Sequence, residues 1–374
     1  MMAASSKFSP DYWGEIYQSG KFPHEYWDEL GKSGLIGILI PTKWGGMNRT
    51  FMDYLLAVEE TAHHFAGIAS YLYLSGSLVS MVIEKNGTDQ QKDDLLPKFA
   101  KGKMKISVAL SEESAGYNAA AIETVATRLD DHYCEINGTK AFVNNVDQAD
   151  YLLVFARTSP PNEGSRSYGL SMFLVDPKDP SIKATRLDKL GMDFIGTFSL
   201  YIKSLKVNYD QVMGEIDKGW YNIAENFMLD RIATSASLIG TGRLALDTAV
   251  KHAATRKVFG KIIGSNQGIQ FPLADSFAKL EGAEALMFKA GSMVDHKQNF
   301  SQISNYALHS SANAAIAAAE SALRTFGGHG YLKSYHVERY WRDVKVHKIH
   351  PISEELLLAS IAEKSLGLPK SYNF

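Results

Sequence analysis

The apolar residues of this 374-residue chain change their spacing twice, and this change constrains the fold more than any other feature. From residue 105 to 215, short runs of β-branched and aromatic residues follow one another, separated by turn residues and not by helical segments. This pattern predicts an antiparallel barrel or sandwich, because parallel βαβ units need a helix between consecutive strands. We therefore predict a mainly α, α+β chain with an N-terminal helical domain (1–104), a middle β domain (105–215) and a C-terminal helical bundle (216–374).

The two flanking blocks show helical periodicity. Pro23, Trp27 and Leu30 lie on one face of a predicted helix that ends at Gly34, and two further N-terminal helices are predicted from residue 50 or 51 and over 75–85. Long segments connected by short loops predict a four-helix bundle in the C-terminal block. These segments are 220–256, 266–297, 301–326 and 352–365.

Turn residues divide the β block into strands. Asp130-Asp131 and Asn137-Gly138 each predict a short hairpin, whereas Pro160, Pro161 and Gly164 predict a longer exposed loop.

Charge and cysteine content weigh against several functions. The formal charge of −2, from 39 Lys and Arg against 41 Asp and Glu, provides no net field for nucleic acid or an anionic membrane, although a local basic groove stays open. Cys134 is the single cysteine, which excludes an internal disulfide and cysteine-based zinc or iron–sulfur sites and favours a reducing, cytoplasmic setting. His347 and His350 have metal-ligand spacing without a supporting carboxylate pattern, so we predict no metal site. The N-terminus lacks a signal-peptide pattern, and the apolar run at 34–41 is too short to span a bilayer, which predicts a soluble protein.

Two motifs between the predicted bundle helices have more than one interpretation. Arg256 to Gly260 reads RKVFG and precedes Gln267; the arginine could bind a pyrophosphate, or it could complement a helix dipole. FGGHG, which includes Gly327 and Gly328, either admits a ligand close to the backbone or ends the alanine-rich helix with a left-handed cap.

Asp230 is a candidate general base. At helical spacing it shares a partly apolar stripe with Ile223, Phe227, Thr234 and Thr241. Loss of water around a carboxylate raises its pKa and suits it to accept a proton near neutral pH. The alternative is a salt bridge to Arg231 or to another buried cation.

Together these segments resemble the acyl-CoA dehydrogenase family over nearly the whole chain. ALSEESAG (109–116) resembles the family pattern AxTEPxAG, and NGTKAFVNN (137–145) resembles NGTKxWITN. LDKLGM, TRKVFGKIIGSNQ, FGGHGY and RYWRDVKVHKI follow in the family's order.

The resemblance implies FAD as the cofactor, bound between the β domain and the bundle, with part of the site supplied by a neighbouring subunit. By position, the implied cofactor-binding residues are Leu110, Ser111, Phe142, Asn144, Arg256, Phe259, Gln267, Arg324, Gly327, Gly328 and Ser353. The implied substrate-binding residues are Tyr117, Phe227, Arg231 and His350. Phe142 and Asn144 stand where relatives carry Trp and Thr, and Tyr117-Asn118 replaces Ser-Asp; these changes bear on the identity of the substrate more than on that of the cofactor.

The segment that usually holds the catalytic glutamate is different here. Most relatives read YEGT, whereas this chain reads HPIS (350–353), with Pro351 in the Glu position. A minority of the family, including isovaleryl-CoA and long-chain dehydrogenases, places the base immediately before the arginine of the first bundle helix, which is Asp230 here. We therefore expect Asp230 to be the base, with Glu354 or Glu355 as the fallback.

The expected reaction is α,β-dehydrogenation of an acyl-CoA, in which a carboxylate takes the α-proton and flavin N5 takes the β-hydride. The alternatives are a dehydrogenase for substrates held on an acyl- or peptidyl-carrier protein, a flavin monooxygenase, and a non-catalytic flavoprotein of the same fold. The resemblance further implies a role in fatty acid metabolism, an electron-transferring flavoprotein as partner, and a homo-oligomer that is a dimer or a homotetramer built as a dimer of dimers. We expect no nucleic-acid or membrane partner.

Overall fold

The N-terminal block is helical, as its periodicity predicts. The computed structural model describes residues 7–67 and 71–371, so the first six residues of the predicted N-terminal domain lie outside it. The helices of this block are α1 (Pro10–Ser19), α2 (His24–Lys32), α3 (Phe51–Thr61), α4 (Tyr71–Asn86) and α5 (Asp89–Ala100). Thr50 begins α3 with a capping box, because its hydroxyl accepts from the Asp53 amide at 3.0 Å while Asp53 accepts from the Thr50 amide at 3.2 Å. A π-helical turn, Ala62–Ala66, follows α3.

The middle block is one seven-stranded sheet. Its strands are β1 (Ile106–Ala109), β2 (Val125–Arg128), β3 (Tyr133–Asn144), β4 (Tyr151–Arg157), β5 (Leu170–Val175), β6 (Ile182–Arg186) and β7 (Thr197–Asn208). The strand order is β1-β4-β2-β3-β7-β6, with β5 paired to β4. Most pairings are antiparallel as predicted, but β4 runs parallel to β1 and to β2.

The predicted hairpin at Asn137-Gly138 is wrong. Strand β3 continues through this dipeptide and shifts its register against β7 between Ile136 and Gly138, which marks a bulge. A Cβ at Gly138 would lie 2.7 Å from the Thr124 Cα, so the glycine serves a close approach of two backbones. The hairpin at Asp130-Asp131 is confirmed, because β2 and β3 pair antiparallel across it.

The C-terminal block is a helical bundle with a small hairpin. It contains α6 (Gly219–Thr255), β8 (Lys257–Val258), β9 (Lys261–Ile262), α7 (Gln267–Asp295), α8 (Ser301–Phe326), α9 (Val337–Lys345) and α10 (Glu354–Lys364). Alanines of α8 face the interior; Ala315, Ala318, Ala319 and Ala322 are fully buried. Their small side chains allow the bundle helices to pack closely. In the described ranges, no helix is both long and apolar enough to cross a membrane.

One buried carboxylate connects all three blocks. Asp343, on α9, accepts a hydrogen bond from the Met192 amide of the β block at 2.7 Å and another from the Tyr17 hydroxyl of α1. Burial raises the pKa of Asp343 to about 6, although these donors and Arg342 favour its charged form. Arg342 lies 3.2 Å from Asp193 and strengthens the same contact between domains.

Helix α6 approaches the end of α3 at Gly240. A Cβ at this glycine would lie 2.6 Å from the Ala62 Cβ, 3.0 Å from the His63 amide and still closer to the Glu59 carbonyl. By contrast, a Cβ at Gly282 of α7 meets nothing within 4 Å. The two helical glycines therefore have different roles, close packing at Gly240 and none that requires glycine at Gly282.

We expect Gly240→Ala to lower stability by about 1–3 kcal/mol, because overpacking outweighs the gain in helix propensity. Gly282→Ala, the matched control, should raise stability by about 0.5–1 kcal/mol. Thermal unfolding of both variants tests this difference. Equal shifts of the two midpoints would show that α6 and α3 do not meet tightly at Gly240.

Candidate active site

A buried ion pair joins the first two resemblance motifs on the β block. Lys140 Nζ lies 2.7 Å from Glu112 Oε1 and donates to the Leu110 carbonyl at 3.1 Å, and both charged side chains are almost completely buried. The other Glu112 oxygen accepts from the Glu123 amide at 2.6 Å. Burial tends to raise the pKa of Glu112, but Lys140 and these donors outweigh it and hold the pKa below its usual range. The pair fixes the loop that carries Leu110 and Ser111.

The same loop is tied to the strand that presents Phe142. The Ala141 amide donates to the Ser111 carbonyl at 2.8 Å, and Phe142 follows with a φ of 57° at a register shift of β3. This backbone turns the Phe142 ring outward, where 64% of the residue is exposed. Asn144 keeps a polar partner, because its Oδ1 accepts from the Thr197 hydroxyl at 2.8 Å.

Asp230 lies on α6 beside Arg231, as the sequence stripe places it. Burial raises the pKa of Asp230 to about 7, and the positive charge of Arg231 opposes this shift only in part. Arg231 turns toward α8, where its Nη1 donates to Asn305 Oδ1 at 2.8 Å. Phe227, one turn earlier, is half-buried, with its ring centre 5.8 Å from that of Trp220. Asp230 can therefore hold or release a proton near neutral pH.

The HPIS segment closes against the β block. The hydroxyl of Tyr117, in the loop after the first motif, donates to the carbonyl of Ile349. His347 Nδ1 donates to the His350 carbonyl at 3.2 Å, which folds the segment back on itself. Burial lowers the pKa of His347 to about 3 and that of His350 to about 4, so both imidazoles are neutral at pH 7. Ser353 caps α10, because its hydroxyl accepts from the Leu356 amide at 3.3 Å.

The two fallback carboxylates differ in their surroundings. Glu354 accepts from Lys348 Nζ at 2.6 and 2.7 Å and from Asn313 Nδ2 at 2.8 Å. Lys348 first of all, and then Asn313, lower the pKa of Glu354. Glu355 is exposed. The pKa of the Tyr117 phenol is raised mainly by burial and to a smaller extent by the negative charge of Glu355. Glu354 is therefore a weaker proton acceptor than Asp230.

The RKVFG motif forms an exposed hairpin at the end of α6. Val258 pairs with Lys261, so Phe259 and Gly260 make a two-residue turn, with φ values of 50° and 76°. Phe259 at its tip is fully exposed. Arg256 and Gln267 flank the hairpin and are exposed as well.

The FGGHG turn lies at the same end of α6. The ring of Phe326 stacks on His252 of α6 at 4.0 Å, and Gly327 has a φ of 59°. A Cβ on Gly327 or Gly328 would meet nothing within 4 Å, so there is open space beside the backbone. Arg324, one turn earlier, is exposed.

These residues fit FAD. Exposed rings suit a planar flavin or adenine, the exposed arginines Arg256 and Arg324 suit a pyrophosphate, and the open turn at Gly327 and Gly328 admits a ligand close to the backbone. The described residues contain no group of three or more His, Cys, Asp or Glu able to hold a metal ion. Fold and site together are compatible with a flavin-binding protein.

Comparison with known proteins narrows the class. Family models for the acyl-CoA dehydrogenase N-terminal, middle and C-terminal domains match residues 4–103, 107–205 and 217–366. The caffeyl-CoA reductase-Etf complex subunit CarC of Acetobacterium woodii is 33% identical over 349 residues, covering 93% of this chain and 91% of that protein. The 3-(aryl)acrylate reductase of Clostridium sporogenes is 32% identical, covering 89% and 88%. The structure of butyryl-CoA dehydrogenase from Megasphaera elsdenii has a TM-score of 0.89 and 30% identity, covering 96% and 94%.

The chain belongs to the acyl-CoA dehydrogenase family. It is an FAD-dependent oxidoreductase that acts on the CH–CH group of an acyl-CoA, which confirms the fold, cofactor and reaction class that the sequence resemblance implied. The roles of the individual site residues stay predictions.

Three features of the site were not predicted from the sequence. The pairing of Glu112 with Lys140 joins two motifs that were considered separately, although a charged residue in each was a signal for it. The position of Asn305 against Arg231 depends on how α8 packs on α6, which no local pattern reveals. The sequence predicts no metal site at His347, but it does not reveal that this histidine is 2% exposed or that its Nε2 has no hydrogen-bond partner among the described residues.

We expect Lys140→Met to lower stability by about 3–5 kcal/mol, because it leaves the buried Glu112 carboxylate without its cation. The control is Lys183→Met at an exposed position of β6, where a change within about 0.5 kcal/mol is expected. Thermal unfolding measures both. If Lys140→Met melts like the control, the ion pair does not hold the loop.

Burial of His347 makes the stability of the fold depend on pH. Its pKa is lower in the folded chain than in the unfolded chain, so the unfolded chain binds more protons below pH 6.5 and stability is lost as the pH falls. We expect His347→Asn, which keeps a donor for the His350 carbonyl, to lose less stability than the wild type between pH 6.5 and 4. Unfolding midpoints across this range test the prediction, with His132→Asn at an exposed site as control. Parallel curves for His347→Asn and the wild type would contradict it.

Proposed function

We propose that this enzyme dehydrogenates an acyl-CoA with Asp230 as the base that removes the α-proton. The observation that carries the proposal is the place of Asp230, half-buried on the first bundle helix next to Arg231, where loss of water raises its pKa to about 7. A carboxyl group with this pKa is ionised in a large fraction of molecules at neutral pH and still binds a proton strongly enough to remove one from carbon.

The HPIS segment supports the same assignment by what it lacks. Pro351 has neither a carboxylate nor an amide hydrogen, so it can neither take a proton nor polarise a carbonyl. Glu354, the nearest carboxylate along the chain, is held in its charged form by Lys348 and Asn313. Proton removal by Glu354 would cost this ion pair, whereas the pKa of Asp230 is already raised toward neutrality.

The proposed cofactor contacts divide between the β block and the bundle. Leu110, Ser111, Phe142 and Asn144 would line the flavin ring, while Arg256, Arg324, Gly327 and Gly328 would hold the pyrophosphate and adenosine. Phe259, Gln267 and Ser353 complete the proposed set. FAD, when bound, supplies the acceptor for the β-hydride. The chain's own contribution is to hold Asp230 near the midpoint of its titration at neutral pH and to orient the acyl group.

The proposed substrate contacts are Tyr117, Phe227, Arg231 and His350. Tyr117 is joined to Ile349, which places the loop after the first motif against the closing segment. Phe227 offers an apolar face one turn before Asp230. His350 is neutral, so its ring presents no charge to an acyl chain. These features suit an acyl-CoA whose apolar chain lies along α6.

The reverse reaction is a second candidate. Two relatives, 33% and 32% identical, are named for the reduction of caffeyl-CoA and of 3-(aryl)acrylates. In that direction a protonated Asp230 would deliver the α-proton, and its pKa of about 7 suits either role.

Further parts of the proposal follow the family resemblance. An electron-transferring flavoprotein is the proposed redox partner, in keeping with the Etf complex named for the Acetobacterium relative. A homo-oligomer, a cytoplasmic setting and the domain boundaries 1–104, 105–215 and 216–374 are proposed on the sequence grounds given above.

The test is to replace Asp230 with Asn and to mix the purified holoenzyme anaerobically with acyl-CoAs of different chain length and branching. We expect flavin bleaching to slow by about 100-fold or more, because a general base contributes a factor of that order. Glu354→Gln and Glu355→Gln are the controls, and both should keep most of the rate. Undiminished bleaching in Asp230→Asn would overturn the assignment.

Two other outcomes would identify a different substrate or role. Bleaching only by carrier-bound thioesters would favour a carrier-protein substrate. Retained FAD that no thioester reduces, and that cinnamoyl-type enoyl-CoAs cannot reoxidise, would favour a non-catalytic flavoprotein.

A further inference from the structure

A chain of hydrogen bonds leads from Arg231, the residue that follows the proposed base, to the last helix. Arg231, next to Asp230 on α6, donates to Asn305 Oδ1 on α8 at 2.8 Å, and Asn305 Nδ2 donates to Ser360 Oγ on α10 at 3.2 Å. Asn305 is only 2% exposed. Three helices therefore meet at one buried amide.

The partners on both sides fix the orientation of that amide. A guanidinium can only donate, so the Asn305 oxygen must face Arg231 and its nitrogen must face Ser360. The amide contributes no charge of its own. Arg231 thus keeps its full positive charge beside Asp230 while one of its N–H groups is satisfied elsewhere.

Several other charged groups on the elements packed against α6 have partners of their own. They do not shift the pKa of Asp230 or of Arg231, which respond to burial and to each other. These paired groups are His309 with Glu354 between α8 and α10, Lys85 with Glu225 between α4 and α6, and Arg243 with Glu59 of α3 and with Glu281 and Glu284 of α7. His63 pairs with Asp247, His64 with Glu60, and Arg342 of α9 with Glu338 and Asp193.

We propose that Asn305 is a positioning residue that acts on Asp230 through the neighbouring Arg231: its amide oxygen holds the Arg231 guanidinium and so sets where that positive charge lies. The inference rests on the proposed role of Asp230. Burial has the larger effect on the acidity of Asp230, and we infer that Asn305, an uncharged residue on another helix, decides how strongly Arg231 opposes that effect.

Asn305→Asp tests the proposal with almost no change in side-chain volume. A carboxylate at this position still accepts from Arg231, and the Ser360 hydroxyl can turn to donate to it. The new negative charge competes for Arg231 and disfavours the ionised form of Asp230. We expect the lower pH limb of the flavin reduction rate to move up by about one pH unit, equivalent to an about tenfold slower rate well below the midpoint.

Asn305→Ala tests the proposal with a shift in the opposite direction. Without the amide, Arg231 has Asp230 as its neighbouring group of opposite charge and favours the ionised carboxylate more strongly. The midpoint of the lower limb of the pH–rate profile should therefore move to lower pH. Ser360→Ala is the matched control, since it removes the far end of the chain of hydrogen bonds and leaves the bond between Asn305 and Arg231 intact. The control should keep the wild-type midpoint.

A stability measurement separates this inference from the assignment of the base. The folded pKa of Asp230 is raised, so its ionisation costs stability as the pH rises from about 4 through 7, and Asp230→Asn removes this cost. The difference in unfolding midpoint between the wild-type holoenzyme and its Asp230→Asn variant therefore follows the titration of Asp230 without any turnover. The same pair is then compared in the Asn305→Asp background. There, the pH at which this difference in unfolding midpoint changes should be higher by about one unit.

The outcomes are distinct. If Asp230→Asn still bleaches with acyl-CoA but the stability difference shifts with Asn305→Asp, the base is another residue and the coupling stands. If neither Asn305→Asp nor Asn305→Ala moves the stability difference, Asn305 does not position Arg231 and the inference is overturned. An equal shift in Ser360→Ala would also overturn it, because the effect would then come from α10 and not from the contact with Arg231.

Discussion

The arrangement of the three domains depends on the buried Asp343 carboxylate. It belongs to the bundle, yet its hydrogen-bond donors come from the first helix and from the β block. A buried carboxylate without donors is costly, so the domains satisfy it only when they are docked together. The positions of the β block and of the first helix relative to the bundle follow from this docking.

A second buried charge organises the site within the β block. Glu112 and Lys140 stand in two segments separated along the chain, and their ion pair brings the Leu110 carbonyl and the strand before Phe142 into one rigid surface. On the bundle side, Asp230 and Arg231 lie within the long helix α6, and the packing of α6 against the other bundle helices holds them in place. The site therefore combines a hydrogen-bonded loop with a helix, and each part is held by interactions buried behind it.

The sequence predicted the parts whose signal is local. The long helices α6, α7 and α8 show sustained helical periodicity, and strands β4 and β5 are almost continuous apolar runs. Helix α1 and strand β6 were missed, since α1 is short and β6 is exposed on most of its residues, which removes the periodic signal. Asn137-Gly138 was assigned to a hairpin because the dipeptide favours both turns and bulges; the choice is made by Thr124, which immediately precedes strand β2. In the site, Asp230 could be identified because the apolar stripe around it lies on a single helix. Asn305 could not, because its contact with Arg231 joins two different helices.

The hairpin at the end of α6 is energetically unfavourable within the single chain. A phenylalanine with positive φ is strained, and its fully exposed ring gains nothing from burial. The two-residue turn nevertheless fixes the direction of the ring before anything covers it. A surface that receives Phe259 would gain apolar contact without ordering a loop, which is a large part of the usual entropic cost of association. The turn at the tip of the hairpin thus orders Phe259 for contact before any contact is made.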